Sequence, residues 1–170
     1  KLTDADFNVA LGVSALGSDT LGSKNVAIGK SALGTQNFTS ATNSFNTAVG
    51  HEAGEQVTTG IYNTLIGGLS GGALTTGFEN VAIGTFSLTS DTLGRKSTAV
   101  GYEALKNQNF TSSTNSFNTA IGYNAGLSVT TGQENTLIGH SAGDELTTGN
   151  TNTAVGSLSL SSDTLGDRNV

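Results

Sequence analysis

Asn46-Thr47-Ala48-Val49-Gly50, Asn63-Thr64-Leu65-Ile66-Gly67 and Asn80-Val81-Ala82-Ile83-Gly84 are successive variants of one pentad, Asn-x-Ala-(Ile/Leu/Val)-Gly. The pentad also starts at Asn8, Asn25, Ser97, Asn118, Asn135 and Asn152, and a truncated tenth copy is Asn169-Val170. Neighbouring copies recur at an interval of 17, except for two intervals of 21, from Asn25 to Asn46 and from Ser97 to Asn118. A longer period of 72, equal to four successive intervals, runs through the same stretch. Ser18-Asp19-Thr20-Leu21-Gly22 returns at 90–94 and 162–166, and 36–48 returns at 108–120 with the single change of Ala41 to Ser113.

A repeat of this length is too short for a helical hairpin or a propeller blade and suits one turn of a β-solenoid. The expectation is an all-β fold, a parallel β-solenoid or β-roll of about ten coils, forming a single repetitive segment over residues 1–170. The start at Lys1 suggests a piece of a longer chain. At the usual spacing between strands, ten coils make a rod about 45 Å long. Helix is disfavoured, because 24 Gly, 26 Thr, 19 Ser and 16 Asn make up half the chain and all are poor in helix interiors.

Stacking assigns a part to each pentad position. Asn8, Asn25, Asn46, Asn63, Asn80, Asn118, Asn135, Asn152 and Asn169 would form an axial amide ladder. Gly12, Gly29, Gly50, Gly67, Gly84, Gly101, Gly122, Gly139 and Gly156 would sit at turns that need positive φ or close backbone approach. Val26 and Ile28 share one face of the strand and are expected to point into the coil. The opposite face carries Ala10, Ala27, Ala48, Leu65, Ala82, Ala99, Ala120, Leu137 and Ala154. A strand apolar on both faces is normally covered on both, so this column is expected to be a seam between chains. Further strands are expected at Ser31-Ala32-Leu33 and at Val57-Thr58-Thr59, with their counterparts.

Composition removes several classes. Without Cys there is no disulfide, thiolate nucleophile or Cys-based zinc site. A net charge of −6 disfavours nucleic acid and anionic membranes as partners. No apolar run approaches the ~20 residues of a membrane helix, so membrane insertion is not expected. No nucleophile, base and oxyanion site assembles from the sequence, and neither enzyme activity nor a cofactor is expected.

The pentad with its small-residue continuation, Asn25-Val26-Ala27-Ile28-Gly29-Lys30-Ser31-Ala32-Leu33, resembles the head repeats of trimeric autotransporter adhesins. Asn118-Thr119-Ala120-Ile121-Gly122-Tyr123-Asn124-Ala125-Gly126 is similar to the Asn-Thr-Ala-Ile-Gly-Tyr repeats of phage tail fibres. The resemblance implies a homotrimeric parallel β-roll, extracellular on a virion or cell surface, acting as a stiff shaft or head that presents host-attachment surfaces. Its partners would be further copies of itself, side by side or end to end, and a host-surface glycan or protein. The alternative is a monomeric β-solenoid that binds glycan or ice.

Candidate sites follow from the irregularities. Four extra residues in each 21-residue coil make loops bearing Phe38 and Phe45, or Phe110 and Phe117, either as a receptor platform or as plugs between chains. Asn37-Phe38-Thr39 and Asn109-Phe110-Thr111 fit the glycosylation sequon. Thr58-Thr59, Thr75-Thr76, Thr130-Thr131 and Thr147-Thr148 stack as pairs, which raises the ice-binding alternative. Asp19, Asp91 and Asp163 recur once in each long period and read as solvated turn residues. His51 and His140 have Tyr123 and Gly68 as their counterparts, a scatter that argues against a metal or catalytic pair.

Overall fold

The computed structural model describes residues 6–170. It is a parallel β-solenoid of nine coils. The central part of each complete pentad is a three-residue strand: β1 (Val9–Leu11), β3 (Val26–Ile28), β5 (Thr47–Val49), β6 (Thr64–Ile66), β7 (Val81–Ile83), β9 (Thr98–Val100), β11 (Thr119–Ile121), β12 (Thr136–Ile138) and β13 (Thr153–Val155). They stack in chain order into one parallel sheet in which like pairs with like, Ala27 on Ala48 and Ile28 on Val49 for example. The long coils add β4 (Thr42–Asn43) against β2 (Gly22–Ser23), and β10 (Thr114–Asn115) against β8 (Gly94–Arg95). Asn169-Val170 forms no strand, although Asn169 bonds to Asn152 below it.

The segments expected as a second strand are turns. Ser31 and Leu33 take left-handed φ values of 56° and 49°, and this alternation bends the chain sharply around Ala32. Val57-Thr58-Thr59 is also outside any strand, yet it stacks through axial bonds: the Thr58 N–H donates to the Thr75 carbonyl at 2.9 Å, and Thr75 likewise to Thr92. Apart from the short β2–β4 and β8–β10 pairs, the described coils therefore close with one regular wall, the rest being turns whose amides bond to the coil above.

The two faces of the main sheet are the reverse of the sequence expectation. Ala27, Ala48, Leu65, Ala82, Ala99, Ala120 and Leu137 are fully buried inside their own coils, and Ala154 is 4% exposed. They cannot serve as a seam between chains; Ala10, on the terminal coil, is exposed. Val26 and Ile28, expected inside, lie half-buried on the outer face. The reason is the width of the interior. The inward Ala side chains share one buried cluster with Leu side chains from the turns, such as Leu33 and Leu105, which are themselves fully buried. Where the strand supplies Leu instead, at Leu65 and Leu137, the turns supply Gly54 and Gly71, or Gly126 and Gly143. A Cβ on any of these four glycines would press into that leucine. A bulky β-branched pair does not fit such a space, so it turns outward.

Gly29, at φ 130°, and its eight counterparts hold the strand exits in a conformation that only glycine adopts comfortably. A Cβ at Gly29 would also strike the carbonyl of Gly50 one coil above.

Candidate functional site

The pentad asparagines close the coils. In a 17-residue coil the side-chain Nδ2 donates forward to a glycine carbonyl near the coil's end, as from Asn63 to Gly77 (3.0 Å) and Asn135 to Gly149 (2.9 Å). The Oδ1 accepts the backbone N–H of the next pentad, as Asn46 does from Asn63 (2.9 Å) and Asn135 from Asn152 (2.9 Å). One side chain thus ties the end of its own coil and fixes the start of the next. Both groups are buried, so losing either bond leaves an unpaired polar atom in the interior.

Four extra residues change this chemistry. In the first long coil Asn25 still accepts from Asn46 N–H (3.0 Å) and from the Ser44 hydroxyl (2.8 Å), but its buried Nδ2 has no partner. Ser97 stands at the same point of the second long coil, where its hydroxyl meets that of Ser116 and accepts from Gln108 Nε2 at 2.8 Å. Beneath each insertion lies a buried polar chain. Gln36 Nε2 donates to Asp19 Oδ2 (2.6 Å), and Gln36 Oε1 accepts from Asn46 Nδ2 (2.8 Å). Gln108 makes the same two bonds to Asp91 (2.6 Å) and Asn118 (2.8 Å).

Asp19 and Asp91 are therefore fully buried rather than solvated, which corrects the expectation from sequence. Their carboxylates are held by turn amides, Gly22 N–H on Asp19 (2.9 Å) and Gly94 N–H on Asp91 (3.0 Å), where an Asx-type turn replaces a water shell. Asp163 caps Gly166 N–H in the same way at 2.7 Å. Burial holds the Asp91 carboxyl above its ordinary value, and the bonds from Gln108, Phe110 and Gly94 work in the other direction.

The paired phenylalanines divide. Phe38 and Phe110 are 7% and 4% exposed and cover the polar chains, Phe38 packing beside Gly22 and Gln36. Phe45 and Phe117 stand in solvent at 45% and 52% exposure. Lys24 lies over the Phe45 ring (5.0 Å) and Lys96 over Phe117 (5.4 Å). Tyr62 stacks on Phe45 at 5.7 Å. Asn37 and Asn109 are exposed at the base of the loops, accepting bonds from Thr20 (3.3 Å) and Thr92 (3.1 Å).

The inner Thr column does not offer a free hydroxyl lattice. Thr58 and Thr75 donate their hydroxyls to the carbonyls of Thr75 and Thr92 (3.2 and 3.0 Å), and Thr130 and Thr147 to those of Thr147 and Thr164 (3.2 and 2.7 Å). Thr59, Thr76, Thr131 and Thr148 are exposed beside them.

One surface feature escapes a reading of the sequence by motif. Tyr102, Tyr123 and His140 each follow the glycine of their pentad, and they stack at centroid distances of 5.4 and 5.6 Å with planes 11° and 16° apart. Phe86 meets Tyr102 edge-on at 6.1 Å. The sequence intervals between these three residues equal the lengths of the coils that separate them. That equality was the available signal: residues of different type scatter as pairs but line up as a column. His51 occupies the same column and contacts Glu52 at 3.4 Å. Beside Tyr102 the Glu103 carboxylate raises the phenol's proton affinity and also pairs with Lys106 at 2.7 Å.

Among the described residues no cluster of His, Cys, Asp or Glu is placed to hold a metal, and no helix is long and apolar enough to cross a membrane. Comparison of the chain with protein-family models, with curated proteins and with solved structures found no match in any of the three.

Proposed function

We propose that this chain is a structural, non-enzymatic segment of a homotrimeric extracellular fibre, a stiff rod that presents attachment surfaces to a host. The observation that carries the reading is the outer face of the nine-stranded sheet. Two columns run along it without interruption. One is Val or Thr, from Val9 and Val26 to Thr153, and the other is Ile or Val, from Ile28 to Val155, with Leu11 at its foot. No charged residue stands in either column. Ile66, Ile83, Ile121 and Val155 are 37–65% exposed on the isolated chain.

Nine strands at ~4.8 Å make a stripe about 40 Å long, and apolar stripes of this extent mark contact surfaces. The long coils do not break it, because their extra residues emerge on another side. Charged and aromatic residues border the stripe on the side where the strands begin, at Lys24, Phe45, Lys96 and Phe117. An apolar centre with an aromatic and charged rim is the usual anatomy of an interface between proteins. Three copies facing a common axis through this stripe would bury it, in keeping with the resemblance to trimeric fibre repeats. The seam is thus assigned to the Ile/Val face in place of the Ala column.

Sedimentation of the wild type and of Ile83→Glu/Ile121→Glu tests this reading. A wild-type trimer that resists SDS before boiling, and a double variant that is monomeric with unchanged circular dichroism, support it. A folded wild-type monomer overturns it and favours the alternative of a monomeric solenoid that binds glycan.

A further inference from the structure

The two 72-residue repeats share most of their buried framework and differ mainly on the surface. At one corner the difference has a direction. Where the first repeat carries Ser14, Lys30, His51 and Gly68, the second carries Phe86, Tyr102, Tyr123 and His140. Only the second repeat builds a continuous row of rings there.

The row is open to solvent, with Tyr102 and Tyr123 at 42% and 51% exposure. Near-parallel rings with centroids 5.4 and 5.6 Å apart are well beyond the contact thickness of about 3.5 Å. The rings are therefore offset-stacked and cover one another only in part, so each leaves part of a face open along the rod. Polar groups stand alongside. The Glu103–Lys106 pair flanks Tyr102, and the Ser157 hydroxyl lies 3.5 Å from His140 Nδ1.

The geometry points to a binding site for a linear, uncharged glycan, laid along the rod axis across Tyr102, Tyr123 and His140. Three considerations select this class. A row one ring wide, of four side chains of about 150–250 Å² each that are only about half open, is no match for the ~800 Å² per partner of a stable protein interface. A net charge of −6 opposes polyanions. Rings with open faces and hydroxyl or carboxylate groups beside them match a sugar chain, which presents C–H faces and hydroxyl edges in regular alternation. The row begins beyond the glycines that end the strands, off the sheet face assigned to the seam, so the inference does not rest on the trimer.

An array of immobilised linear oligosaccharides, neutral and anionic, tests it with three proteins: wild type, Tyr102→Ala/Tyr123→Ala, and Tyr62→Ala as an aromatic control on the opposite border of the sheet. The expected result is retention of the wild type on at least one neutral linear glycan. The double variant should lose about thirtyfold in affinity there, and Tyr62→Ala should match the wild type. With no Trp and three Tyr in the chain, tyrosine fluorescence gives a second readout on the same ligand in solution. No wild-type retention on neutral glycans overturns the site, as does retention that the double variant keeps or that Tyr62→Ala loses equally. Circular dichroism of the variants separates loss of the site from loss of the fold.

Discussion

The two long coils carry the same insertion, yet the second is tied down by more bonds than the first. In both, a Gln bridges a buried Asp to the next pentad Asn, and a Phe covers the bridge. In the second, Asp91 also accepts the Phe110 N–H at 3.1 Å, which anchors the loop backbone to the buried carboxylate. The Arg95 guanidinium lies 4.3 Å over the Phe78 ring and bonds to Ser113. The first coil has Ser23 and Ala41 at those two places, so neither contact is possible there. The one change inside an otherwise copied loop thus accompanies the change of the residue beneath it. At the pentad head the second coil has Ser97, whose hydroxyl is engaged by Ser116 and Gln108, where the first has Asn25 with an Nδ2 that has no partner. An inserted loop in a solenoid therefore disturbs the ladder at one position, and a smaller side chain resolves the disturbance.

The largest effect separates the covered and the open phenylalanine of one loop. Phe110→Ala should cost about 3–5 kcal/mol, the usual range for an aromatic removed from a closed site. Phe117→Ala should stay within about 0.5 kcal/mol, as exposed substitutions generally do. Urea denaturation of both variants measures the difference, and equal costs would mean that Phe110 does not seal the polar chain.

A medium effect tests the ladder itself. Asn63→Ser should lose about 2 kcal/mol, because Gly77 O and Asn80 N–H are left unpaired in the interior. Asn25→Ser removes an Nδ2 that already lacks a partner and leaves the Ser44 hydroxyl to accept the Asn46 N–H, as Ser116 accepts that of Asn118 at 3.4 Å in the second coil, so it should be neutral or slightly stabilising. If the two substitutions cost the same on thermal denaturation, the forward bond to glycine is not what the ladder contributes.

The smallest effect is a pH dependence at Asp91 in the second coil. Burial holds Asp91 above its ordinary 3.8, so the folded state binds that proton more tightly than the unfolded chain. The stabilising contribution is complete below about pH 3.8 and is lost as pH rises through the raised folded value. The stability gap between the wild type and Asp91→Asn should therefore change across that window, in the direction that disfavours the wild type as pH rises. A constant gap would show that the carboxyl does not titrate in this way.

Much of the architecture was legible in the sequence. The recurrence of the pentad specified parallel stacking, since like residues can only lie on like residues if each interval is one coil. The Asn and Gly columns followed from that alone, and the nine-coil parallel solenoid agrees. The composition of the walls between pentads was less informative. Ser31-Ala32-Leu33 reads as a strand by propensity, but the chain must turn there to close a narrow coil, and the turn overrides the preference.

The orientation of the strand is where sequence and structure part. Alternation divides Ala27 from Val26 and Ile28, and it says nothing about which side is enclosed when both are apolar. Only the closed coil decides, because the opposite turn approaches so nearly that an Ala, or a Leu set against Gly, is all the interior admits. The same closure buries Asp19 and Asp91, which their turn-like setting had placed in water, and provides the amides that make burial tolerable. It also aligns Tyr102, Tyr123 and His140, which a linear reading keeps apart. By itself the sequence determined the period, the stacking and the residues that repeat. The tertiary structure decided inside from outside, because that choice depends on the distance between two walls of a coil, a quantity no single segment contains.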